Sequence, residues 1–166
     1  VYPGSFDPIT HGHLDILDRA TTLFERVIIG VLANPRKSPL LSVDERIRVI
    51  RESIAADARE AAVAAAAGRI EITAFDGLTV DFCHVQGATA IVRGLRAISD
   101  FEIEMQLAHN NRVLAPDVDT VFFMTSIEHG YVSSSLVKEI ATFGGDVSAM
   151  LPAPAAGALG AALARR

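Results

Sequence analysis

Two kinds of hydrophobic run alternate along this chain. "RVIIGVLA" (26–33) is continuously apolar and β-branched, the pattern of a strand buried on both faces. "RIEITAF" (69–75), "ATAIVRG" (88–94) and "DTVFFMT" (119–125) predict further strands. The segments between them carry a helical period. "HLDILDRATTLF" (13–24) places Leu14, Leu17, Ala20 and Leu23 at three-residue spacing, with Ile16 alongside. "SVDERIRVIRESIAA" opens with Ser42 and Glu45 at capping-box spacing, and "SDFEIEMQLAHNNRVLA" repeats the signature with Ser99 and Glu102. "SSSLVKEIATFGG" starts on serines and ends on glycines. Counting a short first strand ahead of "PGSFDPITHGH", the order is strand, helix, strand, helix. That order predicts an α/β, Rossmann-like, doubly wound five-stranded parallel sheet with helices on both faces, as a single domain over 1–166. The alanine-rich "DAREAAVAAAAGRI" (57–70) reads as an extended helix end, and "AAGALGAALARR" as a short small-residue tail.

Composition narrows the picture. The chain has 166 residues, half of them hydrophobic, and a net charge of −5, which argues against a general nucleic-acid binder. No apolar run approaches the roughly 20 residues that span a bilayer, so no membrane association is expected. The one cysteine, Cys83, has no internal partner and lies in the apolar helix pattern "LTVDFCHV". It is expected to be buried, in a reducing compartment. The chain begins at Val1 without Met, and no signal segment is expected.

In a parallel α/β sheet, ligands sit at the carboxyl ends of the strands. Each chemically rich segment follows a predicted strand: "PGSFDPITHGH", "NPRKSP", "DGLT", "RGLR" and "SIEHGYVSSS". Together they would bring Ser5, His13, Lys37, Arg93, Arg96 and a serine run to one edge. "THGH" enters a helix with no Asp or Ser at the expected cap, which sets His13 at a positive helix terminus, a ready anion site. His11 reads as a loop residue and Asp7 as a turn residue. Lys37 has the ordinary reading of a solvated lysine. Arg93 and Arg96, at the end of a buried strand, need an anionic partner: a carboxylate such as Asp100 or Glu104, or a bound phosphate. The serine run is either a helix cap or a phosphate cradle. The sequence lacks a Walker A loop, a G-x-G-x-x-G turn, zinc-ligand spacing and a G-x-S-x-G elbow. What remains is cations, helix N-termini and hydroxyls with no nucleophile paired to a base. That set suits a reaction in which the substrate brings its own nucleophile.

"YPGSFDPITHGH", "NPRKSP", "VRGLRAISDFEIEMQLAHNNR" and "YVSSSLVKEIATFGGDVSAMLP" resemble the bacterial phosphopantetheine adenylyltransferases, of the nucleotidylyltransferase superfamily with its T/H-x-G-H signature. The resemblance runs in register over almost the whole chain. It implies transfer of the adenylyl group of ATP to 4′-phosphopantetheine, giving dephospho-coenzyme A and pyrophosphate with Mg²⁺, the penultimate step of coenzyme A synthesis. It also implies a cytoplasmic homohexamer inhibited by coenzyme A. Carried over by position, the catalytic set is His13, Lys37 and Arg96. The ATP site is Ser5, Phe6, His13, Gly94, Leu95, Arg96, Glu104, His129, Gly130, Tyr131, Val132, Ser133, Ser134 and Ser135. The phosphopantetheine side is Ser5, Lys37, Thr79 and Arg93. The resemblance identifies no metal ligands. Three features depart from the family pattern: the alanine-rich stretch near 59–68, His129-Gly130-Tyr131 in place of the usual aromatic-Ser-Phe, and Thr79 where an aliphatic residue is common.

Overall fold

The computed structural model describes residues 1–33, 39–57, 65, 67–96 and 98–165. Five strands alternate with helices: β1 (Tyr2–Gly4), α1 (His11–Leu23), β2 (Val27–Leu32), α2 (Val43–Ala55), β3 (Ile70–Phe75), α3 (Thr79–Gln86), β4 (Ala90–Leu95), α4 (Ile98–Leu114) and β5 (Asp119–Met124). A short 3-10 turn (Ile127–His129) then leads to α5 (Ser134–Thr142) and α6 (Ala153–Ala164). All pairings are parallel. Tyr2 lies opposite Ile29, Val27 opposite Ile70, and Ala90 opposite Asp119.

The expected five strands hydrogen-bond as a trio, β1-β2-β3, and a pair, β4-β5. Val1 joins them. Its backbone nitrogen donates to Ala90 O at 2.7 Å, and Val92 N donates to Val1 O at 2.7 Å. The spatial order is therefore 3-2-1-4-5. Beyond Val1 the ladder between β1 and β4 stops. The Arg93 guanidinium spans the opening and donates to Pro3 O at 3.0 Å. This is the switch point at which a doubly wound sheet opens a crevice.

The β2 run was read as buried on both faces, and the packing shows why. Val27, Ile29 and Val31 pack in one cluster with residues of α1, α2, α5 and α6, while Ile28 faces a second cluster with Phe75, Val80, Phe82 and Cys83. Helices thus cover both faces of the sheet. Cys83 is fully buried, and burial pushes its thiol pKa up.

Helix starts follow local chemistry. The Ser42 hydroxyl accepts from Glu45 N at 3.2 Å, and the Glu45 carboxylate accepts from Ser42 N at 2.8 Å, which is the box read from the sequence. Ser133 caps α5 by accepting from Leu136 N at 3.2 Å. Two expectations need correction. Helix α1 begins at His11, so His11 is helical and not a loop residue, and the N-cap is Thr10, whose hydroxyl serves as a serine's would. Ser99 sits inside the first turn of α4 instead of capping it.

The 3.6-residue pattern also missed α6. Its many alanines and two glycines dilute the apolar stripe, yet Ala155, Leu159 and Ala162 are buried, and the helix packs on α2. Most of the alanine-rich stretch (58–64 and 66) lies outside the described residues. Leu159→Ala should lower stability by about 2–4 kcal/mol, because a buried leucine is truncated where α6 joins the core. Urea unfolding checks this, and a change under about 0.5 kcal/mol, the usual size of a surface substitution, would mean that α6 is not part of the cooperative unit.

Candidate active site

The carboxyl ends of the strands enclose a cavity of 420 Å³. It is lined from five directions. The loop after β1 supplies Ser5, Phe6 and Asp7. The start of α1 supplies Thr10 and His13, and α2 supplies Arg46. The end of β4 supplies Arg93, Gly94 and Arg96, with Glu104 from α4. The start of α5 supplies Val132 to Ser135 and Lys138. A second cavity of 370 Å³ adjoins it and shares Ser5, Arg93 and Glu104. Its remaining wall mixes the apolar Phe75, Ile91, Leu107 and Ala108 with the uncharged polar Thr79, Asn111 and Thr120.

His13 is held in a defined tautomer. The backbone N–H of Thr10 donates to its Nδ1 at 3.0 Å. An amide N–H can only donate, so Nδ1 carries the lone pair and Nε2 carries the proton. The Thr10 hydroxyl lies 2.9 Å from the same Nδ1 and accepts from His13 N at 3.3 Å. The Phe6 ring meets the imidazole edge-on, 5.1 Å between centroids. Burial, followed by the nearby Arg96 and Arg93 cations, pulls the imidazole pKa down to about 4. His13 is therefore a neutral Nε2–H donor at pH 7.

The turn that delivers this geometry is tight. Phe6 has a positive φ of 47°, an uncommon backbone conformation for a residue with a side chain. Its ring folds back over Gly4, where an added Cβ would lie 2.9 Å from two ring carbons. Glycine is needed there for close approach. Gly94 has the same reason, since a Cβ would sit 2.9 Å from Ile16 Cγ1.

Each pocket cation but one has a carboxylate partner. Arg93 binds Glu104 through two parallel bonds of 2.7 and 2.5 Å. Burial opposes its charge, but Glu104 more than offsets this and holds the Arg93 pKa above its ordinary value. Arg96 donates to Asp100 at 2.8 and 3.2 Å and to Val132 O at 3.2 Å, which ties β4 to the segment before α5. Lys138 pairs with Asp7 at 2.6 Å. Arg46 is almost fully buried and donates to two carbonyls, Ser5 O at 2.8 Å and Leu32 O at 3.0 Å. Its Nε finds no partner. Among the described residues, the four cations Arg46, Arg93, Arg96 and Lys138 are thus answered by three carboxylates, Glu104, Asp100 and Asp7, and Arg46 is the excess positive charge. The cavity is built for an anion.

The structure brings together Ser5, Phe6, His13, Arg93, Gly94, Arg96, Glu104 and Val132 to Ser135. Thr79, the first residue of α3, lines only the second cavity. Leu95 is buried and lines neither cavity, because its neighbours Gly94 and Arg96 take the facing positions. His129, Gly130 and Tyr131 also stay off the wall. His129 stacks on His11, 5.7 Å between centroids, and the Tyr131 side chain stands 85% exposed. Lys37 lies outside the described residues. Two serines of the run have structural partners: Ser133 caps α5, and the Ser134 hydroxyl donates to Pro8 O at 2.8 Å. The sequence reading missed Asp7, Thr10, Arg46 and Lys138. Arg46 and Lys138 sit in amphipathic helices, where a cation normally reads as solvated. Among the described residues, no group of three or more His, Cys, Asp or Glu side chains is placed to hold a metal ion, and no helix is long and apolar enough to cross a membrane.

Comparison with known proteins adds to this geometry. Residues 1–140 match the cytidylyltransferase-like family. A phosphopantetheine adenylyltransferase of Heliobacterium modesticaldum is 51% identical over 152 residues, covering 92% of this chain and 84% of the relative. Enzymes of the same name from Nostoc punctiforme and Alkaliphilus metalliredigens are 48% and 47% identical, each covering 92% of this chain and 78% and 90% of the relative. With a cationic cleft at the switch point and kinship over nearly its whole length, the chain belongs to the cytidylyltransferase-like family and, within it, to the phosphopantetheine adenylyltransferases.

Proposed function

We propose that the chain transfers the adenylyl group of ATP to 4′-phosphopantetheine, forming dephospho-coenzyme A and pyrophosphate. The observation that carries this reading is the pair of adjoining cavities that share Arg93. One is polar and cationic, with His13 and a helix start. The other adds no charged residue to the shared Arg93 and Glu104 and suits a long, mostly uncharged arm ending in a phosphate.

An oxygen of the acceptor phosphate attacks the α-phosphorus of ATP, and the bond from that phosphorus to the bridging oxygen of pyrophosphate breaks. A phosphate monoester is already largely dianionic at pH 7, with a second pKa of about 6, so no general base is required. The obstacle is bringing two polyanions together. Arg93, with Lys37, holds the acceptor phosphate, and Ser5 lies where the two cavities meet. His13 Nε2–H donates to a phosphate oxygen of ATP as charge shifts toward the leaving group, and Arg96 and the N-terminus of α5 face that charge. Positioning and fixed dipoles supply most of the rate. No group of three or more His, Cys, Asp or Glu side chains among the described residues is placed to hold a metal, so Mg²⁺ would enter with the triphosphate; lining serine hydroxyls would be available to it as oxygen donors, and it would neutralise phosphate charge. On the same reading the enzyme is cytoplasmic, and coenzyme A, which carries both the arm and an adenylate, inhibits it by competing for these cavities. The enzyme is also hexameric. Helix α4 leaves Phe101, Ile103, Leu107, Val113 and Leu114 exposed around much of its circumference, apolar surface that other copies of the chain would cover.

Four outcomes test the reading. Pyrophosphate should be released from ATP with 4′-phosphopantetheine and not with nicotinamide mononucleotide; the reverse preference sinks the substrate assignment. In the free enzyme, NMR titration of the His13 ring should give a midpoint near 4. His13→Ala should lower kcat by about 10²–10³, with ATP affinity within a few-fold by calorimetry. Near wild-type turnover in that variant would leave the opening motif as a turn only. Sedimentation should find a species near six times the 17.7 kDa chain mass; a monomer at micromolar concentration rules the hexamer out.

A further inference from the structure

Asp7 has no place in the chemistry above, yet it is 3% exposed at the edge of a polar cavity. Its carboxylate accepts three bonds. Leu40 N donates to Oδ2 at 3.0 Å, Leu41 N to Oδ1 at 2.9 Å, and Lys138 Nζ to Oδ2 at 2.6 Å. Those donors come from two different walls. Leu40 and Leu41 end the β2–α2 connection, whose Pro39 lines the cavity, and Lys138 lies in α5, whose first residues line the opposite side. The Ser134–Pro8 bond fastens the same helix to the same loop at the next residue. Burial pushes the Asp7 pKa up, but the Lys138 ammonium and the two amides outweigh it and hold the carboxyl below its ordinary value. The group is thus a fixed anion at neutral pH.

We infer that Asp7 is a positioning residue for the transfer reaction: its carboxylate clamps the β2–α2 connection to α5 through the β1 loop, and so sets the spacing of two opposed walls of the main cavity. This rests on the proposed reaction. Asp7 is an anion already answered by Lys138 and two amides, so no phosphate is expected to bind it, and losing the clamp should leave the binding contacts nearly intact. What is lost is alignment of the attacking oxygen with the α-phosphorus. In-line transfer is sensitive to this, and a misplacement of about 1 Å costs roughly 10²-fold in rate. A residue needed only for folding would lower stability without this separation of kcat from binding.

The test uses the whole chain and three variants, Asp7→Asn, Lys138→Met and the double variant. Asp7→Asn keeps the size of the side chain but removes the charge and one acceptor oxygen. Its kcat should fall by roughly 10²-fold, with the dissociation constants of ATP and of 4′-phosphopantetheine each within about threefold by calorimetry. Lys138→Met opens one side of the clamp and should lose less in the same direction. The double variant should be no worse than Asp7→Asn, since both changes remove one shared interaction. Hydrogen exchange gives a readout independent of turnover: the Leu40 and Leu41 amides should exchange faster in Asp7→Asn while those of β1 and β2 stay protected. Folded Asp7→Asn with kcat within twofold of wild type overturns the inference. So does a loss confined to the affinity for one substrate. If Asp7→Asn does not fold, Lys138→Met decides by the same kcat and affinity criteria. Faster exchange at Leu40 and Leu41 beside a wild-type chain that makes no dephospho-coenzyme A would count against the proposed reaction and leave the clamp standing.

Discussion

The pairing of β1 with β4 stops beyond Val1, and the site exists because of that. Two parallel strands that stayed hydrogen-bonded to their ends would close the sheet and leave no crevice. Here Val1 and Val92 meet, and then the strands part. Arg93 takes over the unpaired carbonyl of Pro3 and turns its guanidinium along the opening. A buried backbone acceptor without a partner is costly, so the arginine repairs the ladder and places a cation at the boundary of both cavities. That cation could not stay there alone. Desolvating it demands a partner, and the two parallel bonds to Glu104 on α4 supply one. Strand divergence, arginine and glutamate form one arrangement.

Pre-pairing recurs around the pocket. Glu104 holds Arg93, Asp100 holds Arg96, and Asp7 holds Lys138. The pairs weaken the raw attraction for an incoming anion, because each charge is partly answered already. In exchange each long side chain is confined to one rotamer before substrate arrives, which saves ordering entropy at the moment of binding. His13 fits the same scheme from the other direction. Burial first, and then the neighbouring Arg96 and Arg93 cations, disfavour an imidazolium, so the ring stays neutral and contributes a donor instead of a charge.

The sheet and most of the helices were legible because their signals are local. A continuous β-branched run such as 26–33 has few alternatives, and a capping box such as Ser42/Glu45 has a fixed spacing. The collection of loops at the carboxyl edge followed from element order alone. What stayed hidden depended on tertiary partners. Thr10 became a cap because His13 closes the box from N3, and a histidine is not part of the usual signature. Arg46 looks like any charged residue on an amphipathic helix until the carbonyls of Ser5 and Leu32 are seen to converge on it. Asp7 reads as a turn residue because its three donors lie 33 to 131 positions away in sequence. Position carried over from relatives also has limits. His129 and Tyr131 fall in a matching segment, yet one stacks on His11 and the other faces solvent.

Arg46 stands apart from the other cations, and the contrast says what the pocket lacks. It is the most deeply buried of the four, it has two carbonyl partners and, among the described residues, no carboxylate within ion-pair distance, and its Nε is unmet. Burial alone drives its pKa down, with Asp7 the one charge that opposes this. An uncompensated buried cation is tolerated where something else in the working protein answers it. Arg93, Arg96 and Lys138 are made ready by carboxylates that belong to the fold. Arg46 is left with its charge directed toward a cavity already rich in cations, so the balance of the empty site is positive. A polyanion entering the cleft therefore does more than occupy a matching shape. It removes a repulsion that the folded chain carries, and the arrangement is electrostatically complete only when the phosphates are in place.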